Sequence, residues 1–164
     1  MTADHYYRLA LSAAAQRNLR GAIEYAYYAV QLGGGHEKAA RLLCLCHYQL
    51  GETSAVKDLL PDFPDIDAAV KEDQDSVIVA AEQIRSLVRR KKWRDAARLA
   101  ASVKHQSVRL LNIQGCLYAS AKQYREAARV FAEASRLDKG NPLAMAGLAE
   151  VATRKTRFGG FFKK

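Results

Sequence analysis

The sequence predicts an all-α protein built from repeated pairs of helices, and three observations support this prediction. A pattern of one bulky apolar residue, one charged residue and an alanine-containing amphipathic stretch occurs at residues 18–26, 92–100 and 123–131. Apolar residues make up 49% of the chain and only three prolines interrupt it, which suits close-packed helices more than a sheet. A repeat spacing in the thirties is typical of helical arrays, which bind other molecules rather than transform them.

The copy at residues 108–141 has the clearest pattern. Its first predicted helix places a glycine where two helices would approach closely and an aromatic residue one turn later, at Gly115 and Tyr118. Its second predicted helix has apolar or small residues at Tyr124, Ala127, Phe131 and Ala134. In this order of residue types the chain resembles the tetratricopeptide repeat family, whose unit is a helix-turn-helix of about 34 residues. The resemblance implies a superhelix of stacked helix pairs with a C-terminal capping helix.

The same register places the remaining elements along the chain. Residues 1–157 are expected to form a single domain, with repeats at about 3–36, 37–70, 77–107 and 108–141 and a capping helix at about 142–156. The basic, phenylalanine-rich tail at 158–164 is expected to be disordered, as chain ends often are.

Irregular spacing marks the middle of the chain. The equivalent positions Ala22, Val56, Ala96 and Ala127 are 34, 40 and 31 residues apart. Prolines 61 and 64 lie in the long interval and disfavour a continuous helix, so we expect an insertion there, with 66–72 as a short extra turn of helix and an irregular second repeat. The short interval predicts a shortened loop near 104–107.

The charge distribution points to acidic partners. The formal net charge is +9. Acidic residues dominate between 58 and 75, whereas nine basic residues face one acidic residue between 85 and 109. A strongly basic segment of this kind favours association with acidic molecules.

The family resemblance also implies a binding groove. In tetratricopeptide arrays the first helix of each pair lines a concave surface, and the corresponding positions here are Tyr7, Arg41, Tyr48, Arg85, Arg89, Arg109 and Asn112. Guanidinium groups bind carboxylates through two parallel hydrogen bonds. We therefore predict a non-catalytic adaptor that binds an acidic peptide or an acidic segment of a partner protein, with the arginines and Asn112 as donors and the tyrosines as apolar contacts.

Two other surfaces offer alternative functions. The basic ridge at residues 89–94 contains Trp93 among cations and resembles a nucleic-acid contact. Trp93, however, occupies the same register as Leu19 and Tyr124, which favours packing between helices. The tail provides the second alternative, because phenylalanines beside lysines suit peripheral contact with an anionic membrane, through Phe158, Phe161, Phe162, Lys163 and Lys164.

Several function classes lack support in the sequence. The four histidines are scattered, and no nucleophile is arranged with a general base, so we expect no enzyme activity and no cofactor. Cys44 and Cys46 are two residues apart on a predicted helix and lack a second ligand pair, so no metal site is expected. Three cysteines and the lack of an apolar stretch long enough to span a membrane favour a cytoplasmic location. The sequence contains no indication of an oligomeric state.

Overall fold

The described part of the chain is helical throughout. The structure, a computed structural model, describes the backbone of residues 1–33 and 36–159, and their side chains except those of residues 60, 64–75 and 155–159. Only helices and connecting turns occur in these residues, which confirms the predicted all-α class. The helices are α1 (Ala3–Ala15), α2 (Leu19–Leu32), α3 (Glu37–Leu50), α4 (Thr53–Leu59), a short 3-10 helix (Leu60–Asp62), α5 (Pro64–Arg89), α6 (Trp93–Ser102), α7 (Val108–Ser120), α8 (Tyr124–Leu137) and α9 (Pro142–Gly159).

Residues 1–74 form a first compact unit together with residues 137–139. In this unit α1 packs against α2, α2 against α3 and α3 against α4. Ala10 and Ala26 are fully buried against Leu43, and such small side chains let the helix backbones approach closely. The short segment 137–139 belongs here because the backbone N–H of Lys139 donates to the carbonyl oxygen of Arg17 at 2.8 Å.

Residues 75–136 and 140–164 form the second unit. In this unit α6 packs against α7 and α7 against α9. One of its clusters joins the helices α5, α6 and α7 through buried Ala80, Ile84, Ala96, Ala97, Ala100, Val103, Leu110 and Leu117. A second cluster joins α8 and α9 through Phe131 and Val151.

Four turns with the same backbone geometry join the helices of successive pairs. Their equivalent residues have positive φ angles, at Arg17 (60°), Gly51 (84°), Lys91 (57°) and Lys122 (61°). In each turn, the residue that follows the positive-φ residue donates its backbone N–H to the carbonyl oxygen of the residue five positions before it, at 2.9–3.0 Å. This is the hydrogen bond of a Schellman motif. The four residues are 34, 40 and 31 residues apart, the same spacings that the sequence register predicts.

The long interval contains a longer helix than the sequence predicts. Helix α5 is continuous from Pro64 to Arg89, so residues 66–72 are part of it instead of forming a separate turn. Pro64 is compatible with this helix because it is the first helical residue, where a backbone N–H needs no partner within the helix. The second repeat is irregular, as predicted, since its second helix, α4, has only seven residues.

The short interval results from a short helix, which corrects the prediction of a shortened loop. Helix α6 has 10 residues, whereas its counterpart α8 has 14. The side-chain amide of Gln106 donates to the carbonyl oxygens of Ala100, at 3.2 Å, and Val103, at 2.5 Å. These bonds satisfy carbonyl groups at the end of α6, and Gln114 donates in turn to Gln106.

The C-terminal helix starts where the sequence predicts and ends slightly later. Helix α9 begins at Pro142 and continues to Gly159, beyond the predicted end near residue 156. Residues 160–164 of the predicted disordered tail lie outside the described residues, so their disorder stays a prediction. In the described part, no helix is both long enough and apolar enough to cross a membrane.

Candidate functional site

The three groove residues predicted in the first unit have partners within that unit. The ring centroid of Tyr7 lies 5.0 Å from that of His36. The guanidinium carbon of Arg41 lies 5.6 Å from the centroid of the Phe63 ring, a cation–π distance. Tyr48 packs against the cluster that contains Phe63. Each of the three side chains is half-buried, so each retains a solvent-accessible part.

The predicted arginines of the second unit are exposed. Arg85 and Arg89 are four residues apart on α5 and therefore lie on the same side of that helix, and Arg109 lies in the first turn of α7. None of the three forms an ion pair with a carboxylate among the described residues.

Asn112 is buried, unlike these arginines. Its side chain is only 5% exposed, and its Nδ2 donates to Asn141 Oδ1 at 3.0 Å. The same oxygen of Asn141 accepts from the backbone N–H of Ala144, at 3.1 Å, and so caps the first turn of α9. The predicted donor of Asn112 is thus used within the protein, while its buried Oδ1 has no hydrogen-bond partner among the residues that the structure describes.

A basic groove lies at the turns of the second unit. It has a volume of about 420 Å³ and is lined by the residues Lys91, Lys92, Trp93, Arg94, Asp95, Arg98, Ser120, Ala121 and Lys122. The prediction of a basic ridge at 89–94 identified part of this surface but missed the contribution of the α7–α8 turn. The repeat register contained the missing signal, because Lys122 is the equivalent of Lys91 one repeat later.

Trp93 contributes both to the core and to this groove. It is half-buried and packs against the cluster of α5, α6 and α7, as its register predicts. It also lines the groove beside Lys92 and Arg94.

The first unit contains a polar cluster that sequence reasoning missed. Glu52 Oε1 lies 2.6 Å from Arg20 Nη2, and Glu52 Oε2 lies 2.6 Å from His47 Nδ1. Burial raises the pKa of Glu52, but hydrogen bonding to His47 and the charge and hydrogen bond of Arg20 outweigh it, so that the pKa lies below its ordinary value. This cluster ties the α3–α4 turn to α2.

The cysteines are free thiols in contrasting environments. Cys44 and Cys46 are buried and Cys116 is exposed. Burial raises the pKa of Cys46 to about 11, which leaves it protonated at neutral pH. Among the described side chains, no three histidine, cysteine or acidic residues lie together as metal ligands would.

The predicted membrane contacts fall largely outside the described residues. The backbone of Phe158 is part of α9, but its side chain is not described. Phe161, Phe162, Lys163 and Lys164 lie outside the described residues altogether.

Two comparisons with known proteins gave no match. No protein-family model matches the chain, and no curated protein matches its sequence significantly.

Proposed function

We propose that this protein is a non-catalytic scaffold of the tetratricopeptide type that binds an acidic segment of a partner protein. The four equivalent turns support this proposal, because their geometry and their 34-, 40- and 31-residue spacing are those of a helix-turn-helix array with one long and one short unit. Stacked helix pairs of this kind present extended surfaces for binding other proteins.

The observation that supports an acidic ligand is the exposure of Arg85, Arg89 and Arg109 without ion-pair partners in the described residues. All three belong to the second unit. An exposed guanidinium group keeps its side-chain freedom until a carboxylate binds it, and a planar carboxylate matches its donor geometry. An acidic peptide is therefore the ligand whose chemistry complements this part of the chain.

Asn112 is not a ligand contact in this proposal, because the residue is 5% exposed and its Nδ2 already donates to Asn141. It contributes indirectly, since this hydrogen bond fixes α7, which carries Arg109 three residues earlier, to the start of α9.

The experiment compares the chain with its Arg85→Glu/Arg109→Glu variant in pull-downs from nuclease-treated lysate, analysed by quantitative mass spectrometry. We expect partner proteins with acidic segments to disappear from the variant's list. The matched control is Lys57→Glu/Lys139→Glu, which changes two exposed cations by the same total charge away from α5 and α7. Binding of a synthetic acidic segment from the recovered partner is then measured by fluorescence anisotropy.

Equal loss of affinity for the acidic segment in Arg85→Glu/Arg109→Glu and Lys57→Glu/Lys139→Glu would contradict this function, because binding would then depend on net charge alone. If Arg85→Glu/Arg109→Glu loses its helical circular dichroism, the milder pair Arg85→Gln/Arg109→Gln replaces it. A loss of affinity of less than tenfold in that milder pair would also contradict the function.

A further inference from the structure

The basic groove at the turns is not explained by the proposed binding of an acidic segment. Its lining comes from the α5–α6 turn, the first half of α6 and the α7–α8 turn, and it does not include Arg85 or Arg109. The two sites can therefore be tested separately.

The cations of this groove recur at equivalent positions in two successive repeats. Lys91 and Lys122 occupy the same position of their turns. Arg94 and Arg98 on α6 are likewise equivalent to Arg125 and Arg129 on α8, one 31-residue interval later, and all of these side chains are exposed. Each helix thus carries two arginines four residues apart, about 6 Å along the helix. A regular series of cations suits a ligand that carries regularly spaced negative charges.

Few acidic groups neutralise this series. Asp95 lies in the groove, and one of its oxygens is 3.8 Å from Arg98. For Lys91, Lys92 and Lys122 the described residues provide no ion-pair partner. The first turn of α6 is also open to an anion, since its N-cap residue, Lys92, makes no side-chain capping bond. Phosphate oxygens bind both cations and free N–H groups at a helix start.

Trp93 distinguishes between the polyanions that fit this charge pattern. An acidic peptide gains little from an indole, whereas an unpaired base stacks on it, a contact worth about a hundredfold in affinity at the upper end of measured values. Bases in a duplex are already stacked on their neighbours and are not free to do so. We propose that the groove lined by Lys91, Lys92, Trp93, Arg94 and Lys122 binds single-stranded nucleic acid, with a base against Trp93 and successive phosphates along the cations.

The chain provides its own probe for this proposal, because Trp93 is its one tryptophan. The experiment titrates the full chain with oligo(dT) and oligo(U) of matched length and follows the fluorescence of Trp93. Stacking of a base on the indole is expected to quench this fluorescence, and binding is expected to weaken as salt rises. Poly-Glu peptide and a duplex of the same length are titrated in parallel.

A variant with four charges removed tests the cations: Lys91→Asn/Lys92→Gln/Arg94→Gln/Lys122→Asn. Asparagine is used at 91 and 122 because it tolerates a positive φ. The matched control removes four exposed charges elsewhere, through Lys38→Gln/Lys57→Gln/Lys104→Gln/Lys139→Gln. We expect the groove variant to bind oligo(dT) at least tenfold more weakly than the control does. The slope of log affinity against log salt concentration is expected to be smaller in magnitude by about 3 for the groove variant.

Two substitutions test the stacking contact while keeping an apolar residue in the core. Trp93→Phe retains an aromatic face and is expected to bind oligo(dT) within about threefold of the wild type, whereas Trp93→Leu is expected to lose about tenfold. Leucine occupies the equivalent position of the first repeat, at Leu19, so Trp93→Leu is compatible with this fold. Fluorescently labelled oligonucleotides report binding by these variants.

Three results would overturn the proposal. They are equal affinity of the groove variant and its charge-matched control for oligo(dT), quenching of Trp93 by poly-Glu that is as strong as quenching by oligo(dT), and equal affinity for duplex and single strand. Because Arg85 and Arg109 remain unchanged in every variant of this series, any of these results leaves the acidic-segment proposal standing.

Discussion

The ring of Phe131 on α8 fills the space beside Gly115 on α7, so closely that a Cβ at Gly115 would lie 2.5 Å from Phe131 Cε1. The same ring approaches Gly147 on α9, where a Cβ would lie 2.5 Å from Phe131 Cζ. Phe131 is only 3% exposed. The two glycines therefore make room for one aromatic ring among three helices of the second unit.

Alanine at position 115 is expected to destabilise the fold through this contact. Overpacking a core by one methyl group costs about 1–3 kcal/mol, which exceeds the gain of about 1 kcal/mol from replacing a helical glycine with alanine. We expect Gly115→Ala to lower the free energy of unfolding by about 1 kcal/mol in urea denaturation. Cys116→Ala, on the exposed side of the same helix, is expected to change it by less than about 0.5 kcal/mol.

A double-mutant cycle assigns this cost to the ring. In a Phe131→Leu background the methyl group added by Gly115→Ala meets a smaller side chain. The loss in free energy of unfolding caused by Gly115→Ala is therefore expected to disappear. Equal costs of Gly115→Ala in the two backgrounds would show that the ring is not the cause.

The turn residue Lys122 is expected to limit stability, because it has a φ of 61°. A residue with a Cβ pays about 1 kcal/mol in this left-handed region, whereas glycine does not. Lys122→Gly is therefore expected to raise the free energy of unfolding by about 0.5–1 kcal/mol in urea denaturation. Lys122→Ala, which removes the same charge but keeps the Cβ, is the control and should leave stability almost unchanged.

The equivalent turn of the second repeat provides the reverse test. Gly51 has a φ of 84°, so Gly51→Ala is expected to lower the free energy of unfolding by about 1 kcal/mol. An unchanged stability for both Gly51→Ala and Lys122→Gly would contradict this account of the turns.

The stability contributed by Glu52 is expected to depend on pH. Because its pKa in the folded state lies below the ordinary value, folding favours the charged form, and its contribution is complete above the unfolded pKa of about 4.3. The contribution is lost as the pH falls through the lower folded-state pKa. We expect Glu52→Gln to cost about 1 kcal/mol at neutral pH and progressively less on acidification.

Urea denaturation at a series of pH values from neutral to strongly acidic measures this effect. The exposed Glu24, which forms no ion pair in the described residues, gives the control Glu24→Gln. A cost of Glu52→Gln that stays constant over the whole series would show that the interaction does not depend on the charge of the carboxylate.

The three thiols are expected to differ in reactivity. Cys116 is exposed, whereas Cys44 and Cys46 are buried with raised pKa values. A disulfide reagent at mildly alkaline pH is therefore expected to modify one thiol per folded chain and three after unfolding in urea. Fast modification of a second thiol in the folded chain would contradict the burial of the α3 cysteines.

Glu150 is expected to slow the reaction of Cys116. Although Cys116 is exposed, neighbouring groups partly desolvate its thiol and raise its pKa, and the negative charge of Glu150 raises this pKa further. Glu150→Gln is expected to increase the rate of modification by about twofold, because more thiolate is present at the same pH. Glu133→Gln, on α8, is the charge-matched control.

Residue patterns within each repeat predicted much of this fold. The alanines at 22, 96 and 127 are fully buried, and the turns at 17, 51, 91 and 122 recur with the predicted spacing. These features could be predicted because helix periodicity and turn geometry depend on residues that are near one another in the sequence. The sequence pattern does not predict the continuity of α5, because two closely spaced prolines normally interrupt a helix, whereas here Pro64 is the first residue of one.

The candidate sites were predicted less completely. The exposed Arg85, Arg89 and Arg109 occupy predicted positions, but the burial of Asn112 depends on its contact with Asn141, 29 residues later. The contribution of Lys122 to the basic groove likewise requires two turns to lie side by side. Neither contact follows from the local pattern around either residue.

Local spacing and composition are sufficient to predict the helical class, the register of the repeats and the sign of the charge on the second unit. They do not show which carboxylate pairs with Arg20 or which cations meet around Trp93. These two features depend on side chains that are distant in the chain, and packing of the helices brings them within contact distance.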